Sequence, residues 1–299
     1  MSLDTLARYI LDTFFFASLI SLIVSGLNII YGVMRIVNLA HASLFTLGAY
    51  TVAWITANYI VKIFGSNLIL LLVLPLTIAV IVTVLVSLVM VTPLLRYSYG
   101  KGDAFQLIVT FALLIIFEEL FQIVWGRMPL AANDAFFAMG TVNLFGSPYP
   151  LYKVFVIIVA FLIILALWLL TYRTYLGLLL RATSMDSEMV QALGANVIRL
   201  IVVAIITASL LAGLGGALYV PTASVALGLS LDVLIVAFVG LVIGGLGSFI
   251  GSLIGALIVS IFRTLSIYFF PELELVILFT VALIVLIFKP EGIGGGKGW

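Results

Sequence analysis

The chain has 299 residues, 65% of them hydrophobic and only 8% charged, with a net charge of +1 and a mean hydropathy of +1.40. Soluble domains carry about a quarter charged residues, so this composition reads as a polytopic membrane protein resident in a lipid bilayer, and its near-neutrality argues against a nucleic-acid partner held by a basic face. With no cysteine, disulfides, thiolate metal sites and a cysteine nucleophile are excluded.

The N-terminal stretch, with Asp4, Arg8 and Asp12 ahead of the first apolar run, has neither a basic leader region nor a clear small-residue cleavage site and reads as uncleaved. Apolar runs follow near Phe14 to Met34, Ile36 to Ile60, Leu68 to Val91, Phe105 to Trp125, Val154 to Tyr172, Ile198 to Val220 and Leu273 to Phe288. Each approaches the roughly 20 residues a helix needs to cross hydrocarbon. Continuous apolar runs rather than ten-residue alternations predict helices and not a barrel. Between Leu231 and Phe270 the pattern is broken by Gly244, Gly245, Gly247 and Gly251. Leu231 to Ile243 covers only about 20 Å as a helix, which predicts two half-length or tilted helices meeting at a glycine turn. The expectation is an all-α bundle of about eight membrane segments, one of them glycine-broken or re-entrant, forming a single membrane domain over residues 1–299.

Several polar groups fall inside these runs. Asn38, His41 and Ser43 cluster near the start of the second span, and two roles suit them: lining a pathway at a broken helix, or bonding between helices to hold the bundle. Glu118 and Glu119 sit towards the outer end of the fourth span, point about 100° apart, and fit a snorkelling role as well as a substrate role. Gly213, Gly215, Gly216, Gly251 and Gly255 read as packing positions, whereas Gly244, Gly245 and Gly247 suit either packing or the wall of a cavity. Trp54, Trp125, Tyr149 and Tyr152 read as interface anchors.

One polar stretch, Arg173 to Arg199, interrupts the apolar runs. Thr183 with Asp186 three residues on predicts a helix start. Met185, Met189 and Leu193 recur every four residues, Asp186, Ser187, Glu188 and Gln191 occupy other faces, and Gly194 predicts the C-terminal cap. The helix expected from Ser184 to Leu193 is amphipathic, and methionine suits a surface that mates with a groove. Chemistry alone leaves two readings, a docking helix for a partner or a loop helix lying on the chain's own membrane surface.

Lys and Arg counts set the orientation. With the N-terminus outside, the inward connections hold Arg35, Arg96, Lys101, Arg173, Arg181, Arg199, Lys289 and Lys297, and the outward ones hold Arg8, Lys62, Arg127, Lys153 and Arg263. This favours an outer N-terminus and an inner C-terminus, with the polar stretch in the cytosol. The longest outward loop, Gly126 to Tyr152, carries Asp134, Pro148 and Pro150 and is placed to meet an extracytoplasmic partner. No phosphate-cradling GxxxxGK followed by Ser or Thr occurs, and Gly292 to Gly298 reads as a flexible tail. His41 is the sole histidine and no catalytic or metal-ligating constellation is present, so no catalytic residue and no metal site is assigned.

The segment Gly26-Leu-Asn-Ile-Ile-Tyr-Gly-Val-Met-Arg-Ile-Val-Asn-Leu-Ala-His41, running on to Gly48-Ala49-Tyr50, resembles the first signature of the permease subunits of branched-chain amino acid ABC importers of the LivH type. Gly177 to Arg199, with Arg181-Ala182 and Ala192-Leu193-Gly194, resembles that family's cytosolic coupling segment. Gly244-Gly245-Leu246-Gly247-Ser248, Gly251, Gly255 and Lys289-Pro290-Glu291-Gly292 match its C-terminal half. Many relatives have Gly-Glu directly after the histidine, where Ala42-Ser43 stands here. The resemblance implies a bacterial inner-membrane transport subunit working with two cytosolic ATP-binding cassette subunits, a homologous or identical second permease and a periplasmic substrate-binding protein. It implies that ATP and magnesium are used by the partner ATPases and that no cofactor is bound by this chain. It also implies an ATPase-docking surface built from Arg181, Met185, Asp186, Glu188, Met189, Leu193 and Gly194. The expected cargo is amino acids, above all branched-chain ones, or a related small polar solute. A self-contained channel or secondary transporter for urea or an amide is the other class the residues admit.

Overall fold

The computed structural model describes residues 3–65, 67–144 and 147–295. Its helices, in chain order, are α1 (Leu3–Met34), α2 (His41–Ile63), α3 (Leu68–Ser98), α4 (Asp103–Trp125), α5 (Asp134–Ala138), α6 (Leu151–Arg173), α7 (Tyr175–Met185), α8 (Ser187–Ala192), α9 (Val197–Tyr219), α10 (Leu229–Gly244), α11 (Phe249–Phe269) and α12 (Glu274–Phe288). Among the described residues, eight helical stretches are long and apolar enough to cross a membrane, and the 16-residue α10 is a shorter ninth apolar helix. The bundle is all-α but for one addition between α5 and α6. There β1 (Thr141–Leu144) and β2 (Ser147–Pro150) pair antiparallel, Val142 opposite Tyr149.

Burial sorts the helices into a core and a lipid-facing shell. In α1, 89% of the most apolar window is buried inside the bundle, against 22% in α3 and α6. α12 leaves Val276, Phe279, Leu283 and Ile287 exposed, as a helix facing lipid requires. The core is closed by small residues rather than by bulk. A Cβ on Gly48 of α2 would collide with the Gly213 carbonyl oxygen of α9, and one on Gly216 would collide with the Phe45 carbonyl oxygen. Both lie far inside van der Waals contact, so only glycine lets these two backbones meet. Between α10 and α11, Gly244 meets Gly251, and Gly255 meets Gly240, in the same way. The packing expectation for Gly213, Gly216, Gly251 and Gly255 therefore holds, and Gly215 faces the Phe45 ring.

Successive spans alternate in direction. One end of the bundle gathers the close of α1, α3, α6 and α12 with α7 and α8; the other gathers the β-hairpin, α5 and the start of α1. At the hairpin end, Asp12 accepts from Lys153 Nζ at 2.7 Å, from the Tyr149 hydroxyl at 3.0 Å and from the Tyr268 hydroxyl at 2.8 Å. It thereby joins α1, the hairpin, α6 and α11. Burial first, and then the Asp12 carboxylate, push the Tyr149 phenol well above its ordinary pKa, which keeps it a donor. Tyr149 and Tyr152 are thus core residues rather than interface anchors: Tyr152 is buried and its hydroxyl donates to the Leu218 carbonyl. Trp125 stacks on Tyr50, while Trp54 is exposed as an anchor would be.

The sequence-derived picture of the broken segment needs one correction. A glycine turn does separate two helices, but only α10 is short, since α11 runs 21 residues and is long enough to cross by itself. Gly247 and Gly251 fall in the turn and at the start of α11, so the apolar run from Phe249 onward continues without a break.

Candidate functional site

The polar stretch folds as a two-helix elbow. Thr174 caps α7 by accepting from Gly177 N at 3.1 Å. Asp186 separates α7 from α8 and is itself the α8 cap, accepting from Met189 N at 2.9 Å. Thr183 therefore does not start a helix: it is buried inside α7, its hydroxyl donating back to the Leu179 carbonyl. A threonine bonded four residues back is compatible with helix continuation, and the better-placed carboxylate takes the cap. The single helix expected from Ser184 to Leu193 is accordingly two helices hinged at Asp186.

At the far end, Gly194 takes φ +89°, a conformation glycine reaches at little cost. Gly194 N donates to the Gln191 carbonyl and Ala195 N to the Val190 carbonyl, the paired bonds of a Schellman stop. Val190 anchors α8 inward while Met185, Met189 and Leu193 stand 80%, 57% and 80% exposed, beside exposed Asp186 and Glu188. Arg181 is turned the other way, its guanidinium 5.0 Å from the Tyr172 ring centre. The elbow is tied to α1 by Arg35, which donates to the Ser184 carbonyl at 2.9 Å and holds a left-handed φ of +56°. For a residue with a Cβ that backbone costs roughly 1–2 kcal/mol, so the contact is held against local strain.

Beyond Arg35 the chain turns back into the bundle. Gly26 lies eight residues before Met34, about 12 Å of helix, yet a Cβ there would stand 2.7 Å from His41 Nε2. α2 thus begins deep among the other helices, and the connection from Arg35 to Ala40 climbs to reach it. Asn38, His41 and Ser43 are all buried; the His41 ring faces the Ile23 backbone of α1, while the Asn38 carboxamide and the Ser43 hydroxyl complete no hydrogen bond among the described residues. Ser25, next to Gly26, shares that condition. Of the three, His41 is the one that faces a backbone group on another helix, that of Ile23 in α1.

The glycine turn is held by a residue whose role the sequence does not reveal. Asn28 of α1 accepts from Gly247 N at 2.6 Å and donates to the Ser248 carbonyl at 2.5 Å. Gly244 and Gly245 are buried and Gly247 is partly exposed. The C-terminal segment is folded onto the same turn, which corrects the expectation of a flexible tail for residues 292–295. Ile293 N donates to the Ile243 carbonyl at 2.9 Å and Gly294 N to the Gly244 carbonyl at 2.8 Å. These are two of the last carbonyls of α10, which a helix leaves unpaired unless something outside it donates. Lys297 and Gly298 lie outside the described residues.

Glu118 and Glu119 part company as their spacing predicts. Glu119 is exposed, whereas Glu118 turns inward and accepts from Gly228 N, just ahead of α10, at 2.9 Å. The loop from Gly126 to Tyr152 is structured by α5, by the hairpin and by a two-way backbone pairing of Leu130 with Val225.

A pocket of about 300 Å³ opens between α1, α2, α9, α10, α11 and α12. Its floor is buried and apolar: Leu19, Ile20, Ile23, Phe45, Val236 and Ala237. Its rim carries Asp232, Arg263 and Glu274, with Tyr219. Arg263, counted in the sequence as a loop residue, lies inside α11, its Nε 2.9 Å from Glu274 and its guanidinium 4.9 Å from the Phe16 ring centre. No spacing signal joins Asp232, Arg263 and Glu274, which come from three separate helices. The only trace of them in the sequence is that charges are scarce in an apolar stretch.

One short apolar helix, a helix starting at depth and a polar-rimmed cavity amid the bundle are the features of a membrane permease. The family described as "Branched-chain amino acid transport system / permease component" matches residues 9–287, and the chain belongs to it. It is a transport subunit rather than an enzyme. It is 24% identical over 288 residues to the high-affinity branched-chain amino acid transport system permease protein BraD of Pseudomonas aeruginosa. It is 26% and 25% identical over 286 residues to the corresponding LivH proteins of Salmonella typhimurium and Escherichia coli. Each alignment covers 92% of this chain and 91% of the relative. A solved chain, PsaBC from Streptococcus pneumoniae in complex with Fab, aligns with 13% identity and a TM-score of 0.46 over 95% of this chain and 92% of its own. That likeness is too distant to bear on function.

Proposed function

We propose that this chain is the permease subunit of an ATP-driven importer of branched-chain amino acids in a bacterial inner membrane. The observation that carries the reading is the stripe of Met185, Met189 and Leu193, exposed on an elbow that Val190, Arg35 and two caps hold in place. A stripe of large apolar side chains facing away from its own bundle needs a partner, and methionine adapts to a groove. Met185, Asp186, Glu188, Met189, Leu193 and Gly194 form the docking surface for a cytosolic ATPase, and Arg181 braces the elbow from behind.

The orientation follows from the charges at the two ends. Arg35, Arg96, Lys101, Arg173, Arg181, Arg199 and Lys289 lie at the elbow end, against Arg8, Lys62, Arg127 and Lys153 at the hairpin end. The positive-inside rule then supports an outer N-terminus and an inner C-terminus. Two ATPase subunits, a second permease and a periplasmic binding protein complete the machine. ATP and magnesium act on the partner ATPases, this chain having no phosphate cradle. ATP favours the closed ATPase pair, and the elbow passes that preference to the bundle. Asn38 and Ser43, unpaired among the described residues at the deep start of α2, His41 between them and Gly247 at the turn are the polar groups offered to the path.

The double variant Met189→Asp with Leu193→Asp tests the docking surface. ATPase co-purification and ATP-dependent uptake should both fall at least tenfold, with the permease still folded by gel filtration. Undiminished transport in proteoliposomes holding this chain alone would overturn the importer reading in favour of a self-contained carrier.

A further inference from the structure

We propose that the pocket between α1, α10, α11 and α12 is a transit site that holds a branched-chain amino acid as its zwitterion. The inference rests on the importer reading above and adds where, and by which groups, the solute is held inside the bundle. Three properties of the pocket point to that ligand class.

The volume, about 300 Å³, lies at the small end of ligand cavities, which suits a single amino acid and not a peptide. The floor of Leu19, Ile20, Ile23, Phe45 and Val236 is wholly apolar and buried, so it accepts an aliphatic side chain and penalises a polar one. The rim offers charges of both signs. Arg263 pairs through Nε with Glu274, and its two terminal nitrogens donate to no group among the described residues, which leaves the end of the guanidinium fork open to a carboxylate. Asp232 is exposed at the rim and its carboxylate has no hydrogen bond or ion pair among the described residues, a free partner for an ammonium group. Tyr219 stands within electrostatic reach of Arg263, Asp232 and Glu274, so the three charges share one neighbourhood.

A ligand with a carboxylate, an ammonium and a branched alkyl group meets each of these features with a group of its own. Urea or a short amide would leave the floor unfilled and the Asp232 carboxylate unanswered. The position also fits: the floor residues of α1 run from Phe16 to Ile23, near the middle of the helix, and α10 and α12 both begin at the rim. Transporter sites are built at such depths and at such helix starts.

The test uses the whole importer, purified with its ATPases, second permease and binding protein, reconstituted in proteoliposomes and supplied with radiolabelled L-leucine or L-alanine. Asp232→Asn and Arg263→Gln should each reduce leucine uptake at least tenfold, while Asp232→Glu stays within threefold of the wild type. Ala237→Leu, which fills the floor, should cut leucine uptake at least tenfold and alanine uptake less than threefold, a split that a merely unstable variant cannot produce. Leucine uptake within twofold of the wild type in Asp232→Asn and Arg263→Gln would overturn the proposal, as would equal loss of both substrates in Ala237→Leu. A wild-type importer that moves neither amino acid would instead refute the importer reading itself.

Discussion

Replacing Asn28 with alanine is the most direct probe of how the glycine turn is held. The carboxamide makes two short hydrogen bonds, one in each direction, to the backbone of Gly247 and Ser248. Removing it leaves the Gly247 N–H without a partner and takes one of two donors from the Ser248 carbonyl, which keeps its bond from Ser252 N. A backbone group stranded in a dry interior costs about 1–3 kcal/mol, whereas side-chain bonds in membrane bundles average about 0.6 kcal/mol. Gly247 and Ser248 are both partly exposed, so water reaches one side of the turn and the cost falls between these limits, about 1–3 kcal/mol for the pair. Asn28→Asp keeps the acceptor for Gly247 but loses the donor and sets a carboxylate against the Ser248 carbonyl, so it should be no better than alanine. The assay is thermal unfolding in detergent, joined to hydrogen exchange of the peptide containing Gly247, whose amide should lose protection. The reasoning is refuted if Asn28→Ala lies within about 0.5 kcal/mol of the wild type with Gly247 protection unchanged.

Other outcomes follow from the same geometry. Gly216→Ala places a methyl where the Phe45 carbonyl stands, and should abolish the monodisperse peak in fluorescence gel filtration, whereas alanine at partly exposed Gly247, with open space around its Cβ, should leave a folded peak with a lowered melting temperature because of its φ of +81°. Truncation after Pro290 removes the donors to Ile243 and Gly244 and should lower the melting temperature by the loss of two bonds, about 1–2 kcal/mol; a flexible tail would give no shift. A double-mutant cycle of Asp12→Asn with Lys153→Met should show a coupling of about 1 kcal/mol that weakens in high salt, since both side chains are only partly buried.

The spans were legible because each is long and almost free of charge, so the solvent dictates helix and length together. α8 was legible in its exposed stripe and its glycine stop, which are local patterns, yet its start was misplaced: both Thr183 and Asp186 can cap, and only the bend against α6 decides between them. Asn28 and the tail carry no local signal, for a different reason. Each acts on a turn some 50 to 220 residues away along the chain, and no local period reports such a meeting. The pocket rim combines both cases, for Arg263 is visible as a charge but its company of Asp232 and Glu274 exists only after three helices have assembled.

The contact between α2 and α9 bears on what can move. Side-chain interfaces slide or re-register by changing rotamers, but here the carbonyl of Phe45 sits against Gly216, and that of Gly213 against Gly48, with nothing between them to rearrange. A shift of one helix past the other would drive a carbonyl into a residue bearing a side chain, so the pair travels as one rigid block. Any opening and closing of the bundle then leaves this contact intact and falls on seams where side chains, not backbones, meet.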